Sequence, residues 1–561
     1  MFGFFLLGLA WLMPLHFMPW VSWHSEVLGF CAALVLALET FRPRQGRTAS
    51  FEVPRAALLL LLAGVVVLLQ AAGGLIDFWG DALVLELYLG LCVLAMATGY
   101  ARGKAALVRP GRELPASAED PILPLAWVLL AGAMASSVIA LVQVFDVWAD
   151  AAWVVRMYEL RRPGGNMAQP NQLGTLLLMG LASLDFLRRR GKLAPVVAVA
   201  SFAVLTLGLA STESRTALLS LLFLCGWSLL GRRRGAVSTS PALAVGAAAV
   251  ILALYAAWPP FMAWWGQFEP GAVVNARPGL RLVVWPQLLQ AVAMKPWLGW
   301  GLQEVSKAHN AVASGYAAAE PYTYAHNLVL ELALGWGIPL TVLAAVLVVA
   351  WFWRRATLAR TDVAWYCIAA ALPFCVHSML EFPYAYAYFL LPLAYLAGVL
   401  EAETAGRALP RPGSRVAALA MAPLLVIAVV SVYDYLRIEE DFRVARFQAM
   451  RIGRTPAGYE RPKILLLTQL DALLDAARLE PRTGMTAGEL QLARQAALRY
   501  PSPATENRYA LSLALNGSPV EALRQLQVIR TLHGEATYRQ ITNNWREMAK
   551  QHPDWAPLLK N

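Results

Sequence analysis

Charged residues are scarce in this chain of 561 residues: they make up 15% of it, whereas 58% of the residues are hydrophobic. Soluble proteins contain about 25% charged residues, so the composition excludes a soluble globular protein and indicates a polytopic membrane protein. The net charge of +11 comes from short basic clusters between apolar runs, which is a signature of membrane topology. We therefore expect the lipid bilayer as a partner and no nucleic acid.

Cysteine is also rare, and its five copies lie inside apolar runs, which offers neither a loop disulfide nor a metal site. The polar loops lack Asp-x-Asp and His-Glu-x-x-His patterns, a phosphate-binding loop of the Gly-x-x-x-x-Gly-Lys type, and a Gly-x-Ser-x-Gly nucleophile motif. We therefore expect no bound metal and no cofactor. Nucleotide-driven transport and serine hydrolysis lose support for the same reason.

What the chain does contain is about thirteen apolar runs of the length that crosses a bilayer, roughly 17–25 residues, the first shorter than the rest. The predicted fold is therefore all-α, a polytopic membrane bundle whose first helix is retained rather than cleaved. The predicted spans are 2–19, 25–41, 56–75, 82–101, 122–146, 167–187, 194–211, 215–231, 241–258, 327–353, 363–380, 384–401 and 416–434.

Basic residues alternate between the two sides of this bundle. Six basic loops, each two spans from the next, hold twenty-one Lys and Arg residues, whereas the alternate loops hold eight. Cytoplasmic loops carry the excess of basic residues, so the basic-poor loops and the C-terminal tail are predicted to face outward. We expect four regions: 1–258, N-terminal spans; 259–326, a large outward loop; 327–434, C-terminal spans; and 435–561, a small outward helical domain, in which residues 490–532 resemble a tetratricopeptide-like helix pair.

The predicted outward face gathers the chemically unusual side chains, above all Arg215, Arg281 and His326. Arginine suits phosphate, and an imidazole at the end of a span can accept a hydroxyl proton or donate to a phosphate. Each residue also has a structural interpretation: an ion pair with Glu213 for Arg215, stacking on Trp285 for Arg281, and an interfacial anchor for His326.

Further polar candidates on the same face carry weaker signals. Arg277 precedes Pro278-Gly279 and could be a turn residue, and His309 lies in what is predicted to be a flexible Ala/Gly-rich loop. His377 and Glu381, spaced i,i+4, could be a pair that braces the site. The remaining candidates are Gln169 and Asn171.

Five stretches together resemble the O-antigen ligase/polymerase superfamily of bacterial membrane glycosyltransferases. Within it, the first and last of these stretches and the outward C-terminal extension are most similar to protein O-oligosaccharyltransferases of the PglL type. The stretches are Gly165-Asn166-Met167-Ala168-Gln169-Pro170-Asn171, Ser214-Arg215-Thr216, Arg281-x-x-x-Trp285 followed by Lys295-Pro296-Trp297-Leu298-Gly299-Trp300-Gly301, Tyr324-Ala325-His326-Asn327 followed by Gly335-Trp336-Gly337-Ile338-Pro339, and His377-Ser378-Met379-Leu380-Glu381-Phe382-Pro383.

The resemblance implies a GT-C-like membrane fold in the bacterial inner membrane, with the active site facing the periplasm. It implies transfer of a preassembled glycan from undecaprenyl diphosphate to Ser or Thr of pilin or another exported protein, without a metal and with inversion at the anomeric carbon. By the same resemblance, His326, Arg215 and Arg281 are catalytic. The residues implied in substrate binding are Gln169, Asn171, Arg277, His377, Tyr384 and Tyr386.

Other functions remain open at the level of sequence. The same chemistry could serve a lipid A core acceptor, as in an O-antigen ligase, or a second lipid-linked glycan, as in a polymerase. From a different class, the chain could be a lipid or solute transporter or a membrane scaffold. Transporters place ionisable groups near the bilayer midplane, whereas Glu86 and Glu331 lie near the predicted outer ends of their spans.

Overall fold

The computed structural model describes residues 2–41, 51–107, 120–148, 151–156, 162–235, 239–266, 281–410, 414–455 and 458–551. Within these ranges the chain forms helices and connections but no strand, and a single β-bridge joins Pro54 to Ala408. This confirms the all-α prediction. The helices are α1 Phe2–Leu12, α2 Trp23–Phe41, α3 Leu58–Ala72, α4 Trp79–Leu107, α5 Leu123–Val144, α6 Pro170–Arg189, α7 Pro195–Ser211, α8 Arg215–Arg233, α9 Pro241–Trp264, α10 Arg281–Met294, α11 Val305–Ala313, α12 Leu328–Trp336, α13 Ile338–Leu358, α14 Asp362–Ser378, α15 Ala387–Glu403, α16 Ser414–Ala449, α17 Thr468–Arg478, α18 Ala487–Arg499, α19 Pro503–Leu515 and α20 Pro519–Gln551.

Several helices are long and apolar enough to cross a membrane, which confirms a polytopic membrane protein. Seven segments in the described residues meet both criteria, and α1, α7 and α14 are shorter apolar helices. The predicted spans at α6 and α8 are not among them, because polar and charged residues near the helix ends, such as Asn171 and Gln172 of α6 and Arg215 of α8, lower the mean hydropathy. The seven are Trp23–Phe41, Arg55–Ala72, Trp79–Leu107, Leu123–Val144, Pro241–Trp264, Ile338–Leu358 and Met421–Ala449.

Three boundaries differ from the predicted spans. Helix α1 ends at Leu12 rather than at residue 19, because Pro14 follows two residues later and cannot donate to a helix ladder. The predicted span 327–353 is two helices, since Gly337 has φ +78° and separates α12 from α13. The large outward loop contains α10 and α11, so His309 lies in a buried helix rather than in a flexible loop.

The chain folds into two compact units, each assembled from three segments. The first comprises residues 1–63, 87–275 and 347–425, and the second comprises residues 64–86, 276–346 and 426–561. Leucine and aromatic side chains of α5, α6, α14 and α15 contribute much of the apolar core of the first unit.

Two facing glycines let α4 and α15 approach each other closely in the first unit. A Cβ atom on Gly99 would lie 2.1 Å from the carbonyl oxygen of Tyr395, and one on Gly398 would lie 2.0 Å from that of Met96. Small residues at a helix interface allow such backbone contact. In a membrane the hydrophobic effect does not drive helices together, so this close van der Waals packing stabilises their association. The position therefore requires glycine on both helices.

The break between α12 and α13 is stabilised by the tryptophan-rich stretch that precedes it in the second unit. The backbone N–H of Trp300 donates to the carbonyl of Leu334 at 2.7 Å, and the N–H of Ile338 donates to the carbonyl of Pro296 at the same distance. A helix end requires partners for its exposed backbone groups, and these contacts supply them. Two stretches whose bonded residues are 34 and 42 positions apart in the sequence thus form one structural element.

The C-terminal helices pack consecutively in the second unit. Helix α18 starts with a capping box between Thr486 and Glu489, and α19 starts with Ser502 as its N-cap. Helix α20 is interrupted at Gly534, whose φ is +84°. Residues 490–532 therefore contain parts of three helices rather than the predicted pair.

Candidate active site

The first unit places the predicted Gln169 at the start of α6, after a 3-10 turn over Gly165–Met167. Gln169 is the N-cap residue, and its side-chain oxygen accepts a hydrogen bond of 2.6 Å from the backbone N–H of Gln172. Pro170 follows at the first helical position, where its missing N–H costs nothing. Gln169 therefore fixes where α6 begins and in which direction it runs.

Asn171 connects three segments of the same unit. Its side-chain oxygen accepts a hydrogen bond of 2.6 Å from Ser214 and one of 3.4 Å from Arg162, and its amide donates to Glu381 at 3.2 Å. The carboxamide is thus both donor and acceptor, which neither Asp nor Leu could reproduce. Asn171 therefore holds the Ser214 turn and the Glu381 loop against the start of α6.

Arg215 is the first residue of α8, directly after the N-cap Ser214, and its side chain is exposed. The Ser214 hydroxyl oxygen accepts a hydrogen bond of 3.1 Å from the N–H of Ala217. A helix N-terminus carries a partial positive charge, so a cation there is unfavourable for the helix and favourable for an anionic ligand. This placement is suited to an anionic ligand of Arg215.

Arg162 lies beside this turn and was not singled out by the sequence reasoning. Its Nε donates to the carbonyl of Thr212 at 2.7 Å. Burial lowers the pKa of Arg162 from its ordinary value, nearby Glu213 opposes that shift, and the positive charge of Arg215 adds to it. Its position directly before Pro163-Gly164-Gly165, at the start of the glycine-asparagine stretch, is the signal that could have identified it.

His377 is buried at the end of α14 and contacts the same helix as Asn171. Its Nδ1 lies 2.8 Å from the hydroxyl of Thr175, and that hydroxyl donates to the carbonyl of Asn171 at 3.0 Å. Glu381 reaches Asn171 directly. Four predicted site residues of the first unit, Gln169, Asn171, His377 and Glu381, are thus joined through the first two turns of α6, and Arg215 lies next to the Ser214 that Asn171 holds.

The two candidate tyrosines follow in the 3-10 turn over Pro383–Ala385 and at the start of α15. Tyr384 and Tyr386 pack partly buried against the core of the first unit. The ring of Tyr386 lies 5.2 Å from that of Tyr388. The hydroxyl of Tyr388, which was not predicted, donates to the side chain of Gln172 at 2.9 Å.

The second unit contains His326, which connects Tyr324-Ala325 to α12. His326 has φ +56°, a left-handed conformation that costs roughly 1–3 kcal/mol for a residue with a Cβ atom. The preceding residue holds it there: the N–H of Ala325 donates to the Glu331 carboxylate at 2.6 Å, and its carbonyl accepts a bond of 2.9 Å from the indole of Trp285. We call this pair of contacts the Ala325 clamp.

The Ala325 clamp explains the spacing of Arg281 and Trp285. Both lie on α10, and Trp285 places its indole N–H on the histidine segment. The ring of Tyr322 lies 4.5 Å from that of His326. Arg281 is thus four residues from the clamp in α10, whereas Arg277 lies outside the described residues.

His309 is a structural histidine in the second unit. Its Nε2 lies 3.0 Å from the side-chain oxygen of Gln287, whose amide donates to the carbonyl of Ala318. Burial lowers the pKa of His309 to about 4, so the imidazole is neutral at pH 7. Its Nε2–H therefore donates to Gln287.

The C-terminal helices also contact the histidine segment. Arg499 of α18 forms a bidentate ion pair of 2.8 and 2.9 Å with Asp81 and donates to Gln303 at 3.3 Å. Gln303 hydrogen-bonds the hydroxyl of Tyr324, and desolvation of that hydroxyl raises the pKa of Tyr324 to about 12. The C-terminal helices are therefore part of the structure that supports His326.

Parts of the chain also match known protein families. Three family models match consecutive parts of the chain: a protein glycosylation ligase model at residues 163–187, an O-antigen ligase model at 200–345, and the C-terminal model of virulence-factor membrane-bound polymerases at 365–547. The first covers Gln169 and Asn171, and the second covers Arg215 and His326.

Two relatives from Acinetobacter baylyi match over long stretches. A general O-oligosaccharyltransferase is 29% identical over 551 residues, covering 94% of this chain and 91% of the relative, and a ComP-specific O-oligosaccharyltransferase is 24% identical over 414 residues, covering 72% and 70%. The chain therefore carries segments that match the O-antigen ligase and protein glycosylation ligase families, and it is similar over nearly its whole length to a general O-oligosaccharyltransferase.

Proposed function

We propose that this protein is an O-oligosaccharyltransferase that moves a preassembled glycan from a polyprenyl diphosphate, such as undecaprenyl diphosphate, to Ser or Thr of pilin or another exported protein. In this proposal the chain spans the bacterial inner membrane and places residues 259–326 and 435–561 in the periplasm. The observation that carries it is the pair of arginines, Arg162 and Arg215, at the turn before α8, since both are suited to a diphosphate. Arg215 belongs to the stretch that the O-antigen ligase model matches, and Arg162 directly precedes the stretch that the protein glycosylation ligase model matches.

The reaction needs little from the protein beyond placement and charge. The acceptor hydroxyl oxygen forms a bond to the anomeric carbon of the first sugar while the bond from that carbon to the diphosphate oxygen breaks, so the diphosphate leaves with both bonding electrons. The hydroxyl proton passes to His326 or to an oxygen of the departing diphosphate. Direct displacement inverts the anomeric carbon.

Arg215 and Arg162 have distinct roles in this proposal. Arg215 is exposed at a helix N-terminus and binds the diphosphate directly, where charge-assisted hydrogen bonds contribute about 1.5–3 kcal/mol each. Arg162 donates to the carbonyl of Thr212, which fixes the turn that presents Arg215, and adds a second positive charge. Arg281 is proposed to contact the donor from α10.

The remaining candidates hold the site in place or bind sugar. Asn171, Gln169 and His377 maintain the start of α6 through the hydrogen bonds already described. Tyr384 and Tyr386 offer aromatic faces and hydroxyls for the glycan, and Arg277 is proposed as a second arginine of the large loop. The proposed chemistry requires no metal because a diphosphate is already a good leaving group.

The test is transfer in vitro from purified polyprenyl-diphosphate oligosaccharide, with a pilin-like protein and lipid A core as acceptors in parallel reactions. Arg215→Ala is expected to reduce protein glycosylation roughly 10- to 100-fold, the equivalent of one charge-assisted contact. Arg156→Ala, in the same predicted outward loop as Arg162, is the matched control and is expected to retain activity. Chelator is expected to have no effect.

The outcome separates the candidate functions. Glycan only on lipid A core would assign the chain to the O-antigen ligases, which the family match at residues 200–345 keeps as the second candidate. Glycan on neither acceptor, from a folded protein that binds donor, would contradict transfer and favour a transporter or scaffold. Equal activity in Arg215→Ala and Arg156→Ala would contradict the role of the α8 arginine.

A further inference from the structure

A groove of about 620 Å³ lies in the second unit between the large loop and α20. We call it the tail groove. One wall is the short non-helical stretch Ala317–Glu320, and the other is the part of α20 around its break. The lining residues on the α20 side are Gln527, Arg530, Thr531, Leu532, His533, Gly534 and Glu535.

The loop wall is held rigidly to the helix wall. The N–H of Ala319 donates to the carbonyl of Thr531 at 2.8 Å, and the Thr531 hydroxyl donates to the carbonyl of Tyr316 at the same distance. From the other side, the carbonyl of Ala318 accepts a hydrogen bond from Gln287. The side chains of Ala317 and Ala318 are nevertheless exposed, so small methyl groups and main chain form this surface.

The helix wall is polar and electrically balanced. Arg530 forms an ion pair of 2.6 Å with Glu535 across the break, and His533 bonds to the buried Glu506 at 2.7 Å. A Cβ atom on Gly534 would meet nothing within 4 Å, so the break leaves the groove open. Glu535 pairs with Arg530 and also with Arg539 at 2.8 Å, and Glu320 lies on the opposite wall, so the groove lining has no excess of positive charge for a free phosphate. Its charged groups are also poorly suited to a polyprenyl chain.

We propose that the tail groove binds an extended stretch of the acceptor polypeptide. Small side chains, main chain and paired charges line the groove, and this combination matches a polypeptide better than a polyprenyl chain. The volume lies within the range of ligand sites, roughly 300–1,000 Å³. This inference rests on the proposed function and names where its protein substrate is held.

The position of the groove relative to His326 sets a distance along the acceptor. Six residue steps lead from Glu320 to His326, and an extended chain covers at most about 3.5 Å per residue, so the two residues are at most about 21 Å apart. About six extended acceptor residues are therefore enough to connect the Glu320 end of the groove with His326. A recognised stretch this close to the glycosylated Ser or Thr can occupy the groove and the site together.

The experiment fills the groove with a large side chain. Ala318→Trp and, separately, Ala317→Trp are compared with Ala487→Trp, which changes an exposed alanine at the start of α18 outside the groove. The expected result is a rise of 10-fold or more in KM for the acceptor protein in both groove variants. The KM for the lipid-linked donor and kcat at saturating acceptor stay within twofold of wild type, and Ala487→Trp equals wild type.

A second substrate separates groove binding from damage to the site. A Ser-containing peptide of three residues is too short to occupy the groove, so the inference predicts the same kcat/KM for this peptide in wild type and in both groove variants. An unchanged acceptor KM in folded Ala318→Trp and Ala317→Trp, judged by their melting temperatures, would overturn the groove while leaving the proposed function intact. Absence of protein glycosylation by wild type would instead overturn the proposed function itself.

Discussion

The Ala325 clamp leads to a prediction that isolates one hydrogen bond. Trp285→Phe keeps an aromatic ring on α10 but removes the indole N–H that donates to the carbonyl of Ala325 at 2.9 Å. That carbonyl belongs to a fully buried residue, and His326 immediately after it has φ +56°. With one side of the clamp gone, the segment can relax towards ordinary φ values and carry the imidazole away from the reacting atoms.

The expected loss follows from the energy of that bond. A neutral hydrogen bond contributes about 1 kcal/mol, and leaving a buried carbonyl unpaired costs about 1–3 kcal/mol. We therefore expect the activation free energy of transfer to rise by about 1–2 kcal/mol, which lowers kcat roughly 5- to 30-fold. The KM values for donor and acceptor should change less than twofold because neither the arginines nor the tail groove is altered.

The assay is a double-mutant cycle for glycan transfer. If Trp285 acts through His326, Trp285→Phe has no further effect in a His326→Asn background, so the two losses are not additive. Trp297→Phe, at a 76% exposed tryptophan in the same unit, is the control and should match wild type. Full additivity of the two losses, or a Trp285→Phe enzyme as fast as wild type, would refute the reasoning.

Three further predictions concern stability. Gly398→Ala should lower the melting temperature by several degrees or prevent folding, because its Cβ would overlap a carbonyl on α4. A Cβ on Gly226 meets nothing within 4 Å, so the control Gly226→Ala should be neutral or slightly stabilising. Equal effects of the two changes would contradict the close approach of α4 and α15. Arg499→Ala should reduce the free energy of unfolding by about 3–5 kcal/mol, measured with denaturant, because it leaves Asp81 buried without its ion partner. Arg499→Lys should lose less, since lysine keeps the charge but not the bidentate geometry. A loss below about 1 kcal/mol for Arg499→Ala would contradict a buried ion pair. The pKa of His309 is about 4 in the folded protein and about 6.5 in the unfolded chain, so the unfolded state takes up the proton first as the pH drops. The free energy of unfolding should therefore fall by up to about 3 kcal/mol between pH 6.5 and pH 4. His309→Gln should flatten this pH dependence, and an unchanged pH profile in that variant would contradict the effect of burial on His309.

The apolar spans could be predicted from the sequence because a bilayer demands an unbroken hydrophobic length, and that demand is local. The break at Gly337 could not, although Gly337 and Pro339 are both visible there. A helix can stop at Gly337 only if its last carbonyls and the first N–H groups of the next helix find other hydrogen-bond partners. Here the N–H of Trp300 and the carbonyl of Pro296 are those partners. Tertiary contacts therefore decided the boundary.

The candidate site shows the same division. Arg215 and His326 stand out because they are polar residues at the ends of apolar runs. Arg162 does not, since its significance comes from the carbonyl of Thr212, 50 residues away. The spacing of Arg281 and Trp285 suggests stacking on one helix, but it gives no sign of the hydrogen bond from the Trp285 indole N–H to Ala325. A hydrogen bond between distant segments leaves no periodic pattern in the sequence.

The most direct test of the central claim is the intact mass of an acceptor protein after incubation with lipid-linked oligosaccharide and either wild type or His326→Asn. Asparagine tolerates positive φ, so this change removes the imidazole while retaining the backbone conformation that the Ala325 clamp supports. Over an incubation just long enough for wild type to modify the acceptor fully, the account predicts one glycan mass on the acceptor with wild type and no detectable product with His326→Asn, whose residual transfer needs a much longer incubation. An unmodified acceptor with wild type, or full modification with His326→Asn, would contradict it.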